Sequence, residues 1–293
     1  MERLSGAELG ILAAVLPGEL PVGRLAQATG LSMSYASECI RRLRELDLVR
    51  TRKTGLAVLV CRSEGPVMAA LAVLLTEGSG LDLSRVLAGP GLTILPHLLA
   101  PGRTTAEILK RTTLSQATVR GRLRLWRGMG LVVRESPTGL YRLEPGRRAL
   151  EDFVTRYSEA RNARLLERMV PGALIIWQDR DEFLFSVASG GKVDGFVPAG
   201  PGALEDLGYD IAHSRDYWFG GPAGRPVGEE EALVQTMLIE RGNPRPLRWI
   251  RSGLKGRRID SARLLDFARR YGLDREIAKM LEDIDGAEKV RPK

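Results

Sequence analysis

Asp179 and Asp181, two carboxylates one residue apart, are the side chains in this sequence best spaced to hold a divalent metal. Nucleotidyl transfer needs a glycine turn followed by two close acids on Mg²⁺. Ser189-Gly190-Gly191-Lys192-Val193-Asp194 supplies the glycines but only one acid. Asp179 and Asp181 lie between two apolar runs, where an ordinary polar hairpin turn accounts for them better. His213 stands near Asp210, Asp216, Tyr217 and Trp218, the company of a general base and, more commonly, of a packing histidine. His97 lies in the apolar stretch 94–99 and reads as structural. Cys39 and Cys61 fit neither a disulfide framework nor a four-ligand zinc site, and read as small core residues. The expectation is a protein with no catalytic residue, no metal site and no cofactor.

The second chemistry is polyanion binding. The formal charge is +8, and it is unevenly placed. Residues 1–169 hold 25 Lys/Arg against 16 Asp/Glu, a net of +9, whereas residues 170–293 hold 19 against 20, a net of −1. A basic half joined to a neutral half points to double-stranded DNA as partner of the first. A GC-rich genome that favours arginine on solvated faces explains the total but not the asymmetry.

The elements that position these cations occur twice. Residues 21–49 and 103–132 each read as a short helix, a tight turn, a longer helix and a Leu-Val step into extended chain. In the first copy Gly30 suits the left-handed end of the short helix and Ser32 caps the longer one. Ala36, Ile40, Leu43 and Leu46 then recur at helical spacing. Ser34, Tyr35, Ser37, Glu38, Arg41, Arg42 and Arg44 remain for the outer face. In the second copy Ser115 caps, and Val119, Leu123 and Trp126 face inward. Gln116, Thr118, Arg120, Arg122, Arg124 and Arg127 remain outside. Hairpins follow each, around residues 54–55 and 136–139.

A helix laid in the major groove reaches base edges with its N-terminal residues. Gln116, Thr118 and Arg120 are thus the readers of the second copy, and Ser34, Tyr35, Ser37 and Arg41 those of the first, with Arg42 beside them. Arg122, Arg124 and Arg127 lie further along, to touch phosphate or pack at the hairpin. Arg52, Lys53 and Arg134, on the hairpins, are backbone or minor-groove contacts. About six phosphate contacts would make log K fall with log salt at a slope near −5. The alternative is that one copy has become a protein-binding module.

Helices at 7–16 and 92–99 precede the copies, and helices at 67–75 and 146–169 follow them. The last part reads as strands at 173–177, 183–188 and 196–198, then helices at 229–239, 261–271 and 275–284. The basic run Arg245, Arg248, Arg251, Lys255, Arg257 and Arg258 reads as a solvated loop able to add a phosphate contact. Trp177, Trp218 and Trp249 read as core.

Leu31-Ser-Met-Ser-Tyr-Ala-Ser through Leu48-Val49, and Leu114-Ser-Gln-Ala-Thr-Val-Arg through Leu131-Val132, resemble winged helix-turn-helix regulators of the MarR and ArsR groups. Glu38 departs from the basic or neutral side chain such regulators carry there. Trp177 with residues 182–186, Gly200-Pro-Gly-Ala-Leu204, residues 229–234 and residues 263–273 look like the tail domain of archaeal winged-helix regulators. They are also similar to the nucleotidyltransferase-like domain of abortive-infection antitoxins. The resemblance implies an α+β chain. Two winged helices (1–64 and 91–145) are separated by a helical linker (65–90). A connecting helix (146–169) leads to a mixed α/β, nucleotidyltransferase-like C-terminal domain (170–293). It implies a transcription regulator or an antitoxin-like scaffold, with nucleotidyl transfer the remaining alternative. A homodimer, and a protein partner for the C-terminal domain, are further expectations. The start of the sequence has no basic-then-apolar pattern and no apolar run reaches about 18 residues, so a cytoplasmic protein without a membrane partner is expected.

Overall fold

Ser5 starts the first helix with a reciprocal cap. Its hydroxyl accepts from the Glu8 amide at 3.2 Å, and the Glu8 carboxylate accepts from the Ser5 amide at 2.6 Å. The computed structural model describes residues 4–55, 57–77, 81–190, 193–221, 225–255 and 259–289, which combine helices with antiparallel sheets.

Helix α1 (Gly6–Val15) is followed by strand β1 (Leu20–Pro21), helices α2 (Val22–Thr29) and α3 (Met33–Glu45), and hairpin β2 (Val49–Thr54) and β3 (Ala57–Arg62). Gly30 closes α2 at φ +69°, a left-handed position that a side chain disfavours. Ser32 caps α3, accepting from the Tyr35 amide at 3.3 Å. Ala36, Cys39, Ile40 and Leu43 are its buried face. Strand β1 adds to the hairpin in the order β1-β3-β2, a pairing the sequence did not reveal.

Helix α4 (Pro66–Glu77) leads to α5 (Leu83–Leu87), a short helix capped by Asp82 and not foreseen. The helix expected at 92–99 is instead a turn of α-helix, α6 (Gly91–Ile94), running into a 3₁₀ turn at Leu95–Leu98. Pro96, with no amide to donate, sits where one gives way to the other. Next come α7 (Thr105–Arg111), α8 (Gln116–Gly128), hairpin β4 (Val132–Arg134) and β5 (Tyr141–Leu143), and α9 (Arg148–Met169). The order helix, helix, hairpin thus occurs at α2–β3 and again at α7–β5.

The second hairpin is fixed to the chain ahead of α7. Arg103 and Tyr141 exchange backbone hydrogen bonds of 3.0 and 2.8 Å. Gly102, at φ +86°, makes this approach possible, since a Cβ there would stand 2.5 Å from the Tyr141 carbonyl oxygen. Met1–Arg161 forms one compact unit, and a single cluster of buried apolar residues runs through it from Leu4 to Tyr157. Trp126 of α8 is among its largest fully buried side chains. Each such side chain contributes about 1.5–3 kcal/mol by leaving water.

The second unit is Asn162–Lys293, the boundary falling inside α9. Strands β6 (Leu174–Asp179), β7 (Glu182–Ala188) and β8 (Val197–Pro198), helix α10 (Gly200–Asp206) and strand β9 (Arg215–Gly220) precede α11 (Glu229–Ile239), α12 (Arg245–Lys255), α13 (Ser261–Tyr271) and α14 (Asp274–Lys289). The sheet order is β6-β7-β9-β8. Strand β9, central here, was not anticipated, and α12 replaces the expected loop.

Two acids and two bases cross this core. Glu231 is fully buried and accepts from Arg225 at 2.5 and 2.7 Å and from the Tyr271 hydroxyl at 2.7 Å. Arg270 bonds both Glu231, at 3.5 Å, and the buried Glu182. Burial and the Glu231 carboxylate push the Tyr271 hydroxyl above its ordinary range, so it stays a donor. Gln235 joins this set by donating to the Tyr271 oxygen at 2.8 Å.

Candidate nucleic-acid interface

Helix α8 begins at Ser115, whose hydroxyl accepts from the Thr118 amide at 3.2 Å. Val119, Leu123 and Trp126 anchor one side in the core. At 100° per residue, Gln116, Arg120, Arg124 and Arg127 lie on one stripe beside that buried face. Together with Thr104, Thr105 and Leu109 of the α7 region, and Arg134 and Tyr141 of the hairpin, they line a cleft of about 570 Å³.

The electrostatics of this cleft are one-sided. Arg120, Arg124, Arg127 and Arg134 make no ion pair among the described residues, and no carboxylate lines its walls. Arg134 instead stacks over Tyr141, 5.8 Å from the ring centre, within the distance of a cation–π contact. The stripe from Gln116 to Arg127 spans about 17 Å at 1.5 Å per residue. That covers roughly five nucleotide steps of one strand.

Two expected contacts lie elsewhere. Arg122 turns away from the stripe, and its guanidinium donates to the carbonyls of Arg85 and Ala88 beside α5, the latter at 3.3 Å. It also lies 5.7 Å from the Trp126 ring centre, and burial lowers its pKa. Thr118 is half-buried, and its hydroxyl is 2.8 Å from that of Ser115, so it belongs to the cap. Replacing Arg122 by alanine removes the side-chain donor of the Arg85 carbonyl, while the Ala88 carbonyl keeps its bond from the Gly91 amide, and should destabilise the N-terminal unit by about 1–3 kcal/mol. The salt slope of DNA binding should stay unchanged. Denaturant unfolding and a salt titration check both, and a lower slope would return Arg122 to the phosphate contacts.

The first copy is arranged differently. Ser34, Tyr35, Ser37, Arg41, Arg42, Arg52 and Lys53 are all exposed. Arg41, however, is held by Glu38, one turn before it, and by Glu45 at 2.6 Å. Arg42 lies 3.3 Å from the buried Glu8, and Arg52 lies 2.6 Å from Glu19. The Ser37 hydroxyl donates to the Met33 carbonyl at 2.8 Å. Three of its expected cationic contacts therefore carry a carboxylate of their own.

The chain matches no protein-family model and no curated protein. Among solved structures it is similar to a homodimeric winged helix-turn-helix DNA-binding domain (fragment 1–100) from Mycobacterium bovis, described as a possible ArsR-family transcriptional regulator. The identity is 31%, over 27% of this chain and 71% of that one, with a TM-score of 0.24.

The other candidate chemistry is dispersed. Asp179 pairs with Glu182 as the last rung of β6 and β7, with Arg180, at φ +58°, and Asp181 making the turn. The Gly190 amide donates to Asp216 at 2.8 Å, while Gly191 and Lys192 lie outside the described residues. His213 is bound through its two ring nitrogens to the Arg215 carbonyl at 2.8 Å and the Glu205 carboxylate at 3.3 Å. His97 and Cys39 are buried. Among the described residues no group of three His, Cys, Asp or Glu is gathered for a metal. No described helix is long and apolar enough to cross a membrane.

Thr104, Thr105 and Tyr141 went unassigned in the sequence. The signal for the first was present, since Thr104 and Glu107 have the spacing of a capping box, as the 2.7 Å bond from the Thr104 amide shows.

Proposed function

We propose that the two helix-helix-hairpin segments are winged helix-turn-helix modules and that the chain is a sequence-specific, duplex-DNA-binding transcription regulator, with the second module making the principal contact. The observation that carries this is the cleft in which four arginines meet no acid. Cations left without partners release counterions when they reach phosphates, which is the main source of DNA affinity. Gln116, exposed in the first turn of α8, is the side chain placed to read a base edge, as Gln does at adenine. Arg120, Arg124, Arg127 and Arg134 take the backbone. The first module, whose Arg41, Arg42 and Arg52 are internally paired, supplies framework and at most a weak contact. No catalysis is assigned to the C-terminal unit.

Capture of fragmented genomic DNA by the full chain, followed by sequencing, tests this. The expected result is a shared motif enriched in the captured fragments and lost with Gln116→Ala. Uniform recovery at moderate salt would contradict sequence-specific reading.

A further inference from the structure

Helix α12 of the C-terminal unit separates charge from apolar surface. Ile250 is buried, and Leu247 and Leu254 pack on the same core cluster. Gly253 lets the helix seat closely, since a Cβ there would stand 2.2 Å from Ile259. Arg245, Arg248 and Arg251 recur every three residues on the opposite, exposed side, with Arg241 just ahead of them. None of the four makes an ion pair among the described residues, whereas Arg225, Arg263, Arg269 and Arg270 of the same unit are all paired. This concentration of free cations stands out in a half of the chain with net charge −1.

A second observation narrows the ligand. Arg245, Arg248 and Trp249 line one cleft, of about 440 Å³, with Asp210 and Ala212. The half-buried Trp249 ring packs against the core cluster and meets Tyr209 in a T-shaped contact at 5.7 Å, and the part of it left accessible lines this cleft. An accessible aromatic side chain beside a track of regularly spaced cations is the combination that holds an unpaired base and its phosphates. A membrane surface fits less well, because the apolar side of α12 is already used in the core. An acidic peptide would use the arginines but not the ring. A duplex, with its bases stacked inside, would not use the ring either.

We propose that α12 binds a single strand of nucleic acid, its phosphates along Arg245, Arg248 and Arg251 and one base against Trp249. This site is independent of the α8 cleft. The test uses the full chain carrying Arg120→Gln and Arg124→Gln, so that the α8 contact is weakened, and a 20-nucleotide single strand as probe. Binding should persist in that background. Adding Arg245→Gln, Arg248→Gln and Arg251→Gln should reduce the salt slope by about 2, at 0.7 per phosphate on a single strand. Trp249→Leu should weaken binding about tenfold with the slope unchanged, as expected for one lost stacking contact. Circular dichroism checks that each variant is folded, and Arg→Lys at the three positions should keep the slope. An unchanged slope in the triple glutamine variant would overturn the proposal, as would equally tight binding of poly-glutamate. Failure here leaves the duplex reading untouched, because that reading is measured on the unsubstituted chain with duplex DNA.

Discussion

Arg120→Gln with Arg124→Gln should lower affinity for duplex DNA about 30-fold at 0.15 M salt and reduce the salt slope by about 2. The reasoning starts from where the two side chains stand. Both are exposed on the stripe of α8 that faces the cleft, one helical turn apart, with Arg127 and Arg134 completing the group. Neither makes an ion pair among the described residues, so each phosphate contact is a net gain of charge neutralisation. Each lost contact removes about 0.9 from the slope, or about fivefold in affinity at that salt. The comparison is Arg41→Gln with Arg52→Gln. Those arginines already face Glu38, Glu45 and Glu19. Their loss should change the slope by less than about 1. Equal losses from the two pairs would show that both modules contact DNA alike.

The largest stability effect is expected in the C-terminal unit, at Glu231→Gln. Glu231 has no exposed surface and accepts from two arginines and a tyrosine. Glutamine keeps the shape but removes the charge, leaving Arg225 and Arg270 to share Glu182. Breaking a buried ion pair from one side costs about 3–5 kcal/mol, since the remaining charge stays desolvated. For a unit of this size that is a fall in Tm of about 10 °C or more. Calorimetry should place the loss in one transition, while the duplex salt slope stays the same. A shift of only a degree or two would mean that water reaches Arg225, whose side chain is 30% exposed, and replaces the lost acid.

The amphipathic, capped helices were the most legible parts of the sequence. Ser32 and Ser115 mark the starts of α3 and α8, and Val119, Leu123 and Trp126 keep helical spacing with arginines beside them. These are local signals within a dozen residues. What they did not show depends on distant partners. Arg122 looks like its neighbours along the sequence, and only the carbonyls of Arg85 and Ala88, more than thirty residues away, turn it inward. The same holds for Arg52, whose partner Glu19 comes from ahead of β1. Strand β9 was hidden because Tyr217, Trp218 and Phe219 meet side chains on both faces of a central strand, which removes the alternation of a half-buried one. Helix α12 was read as loop from its run of basic residues. Yet Pro246 stands in the first turn, where no amide is needed, and Leu247, Ile250 and Leu254 keep helical spacing.

The central claim is that unpartnered arginines on α8 and its hairpin hold duplex DNA. A salt titration of the full chain on the motif recovered from its own genomic fragments tests it most directly. Four phosphate contacts, one for each of Arg120, Arg124, Arg127 and Arg134, predict a slope of log K against log salt near −3.5. They also predict a fall to about −2 in the Arg120→Gln, Arg124→Gln variant. A slope near zero, or one that these two substitutions leave unchanged, would contradict it.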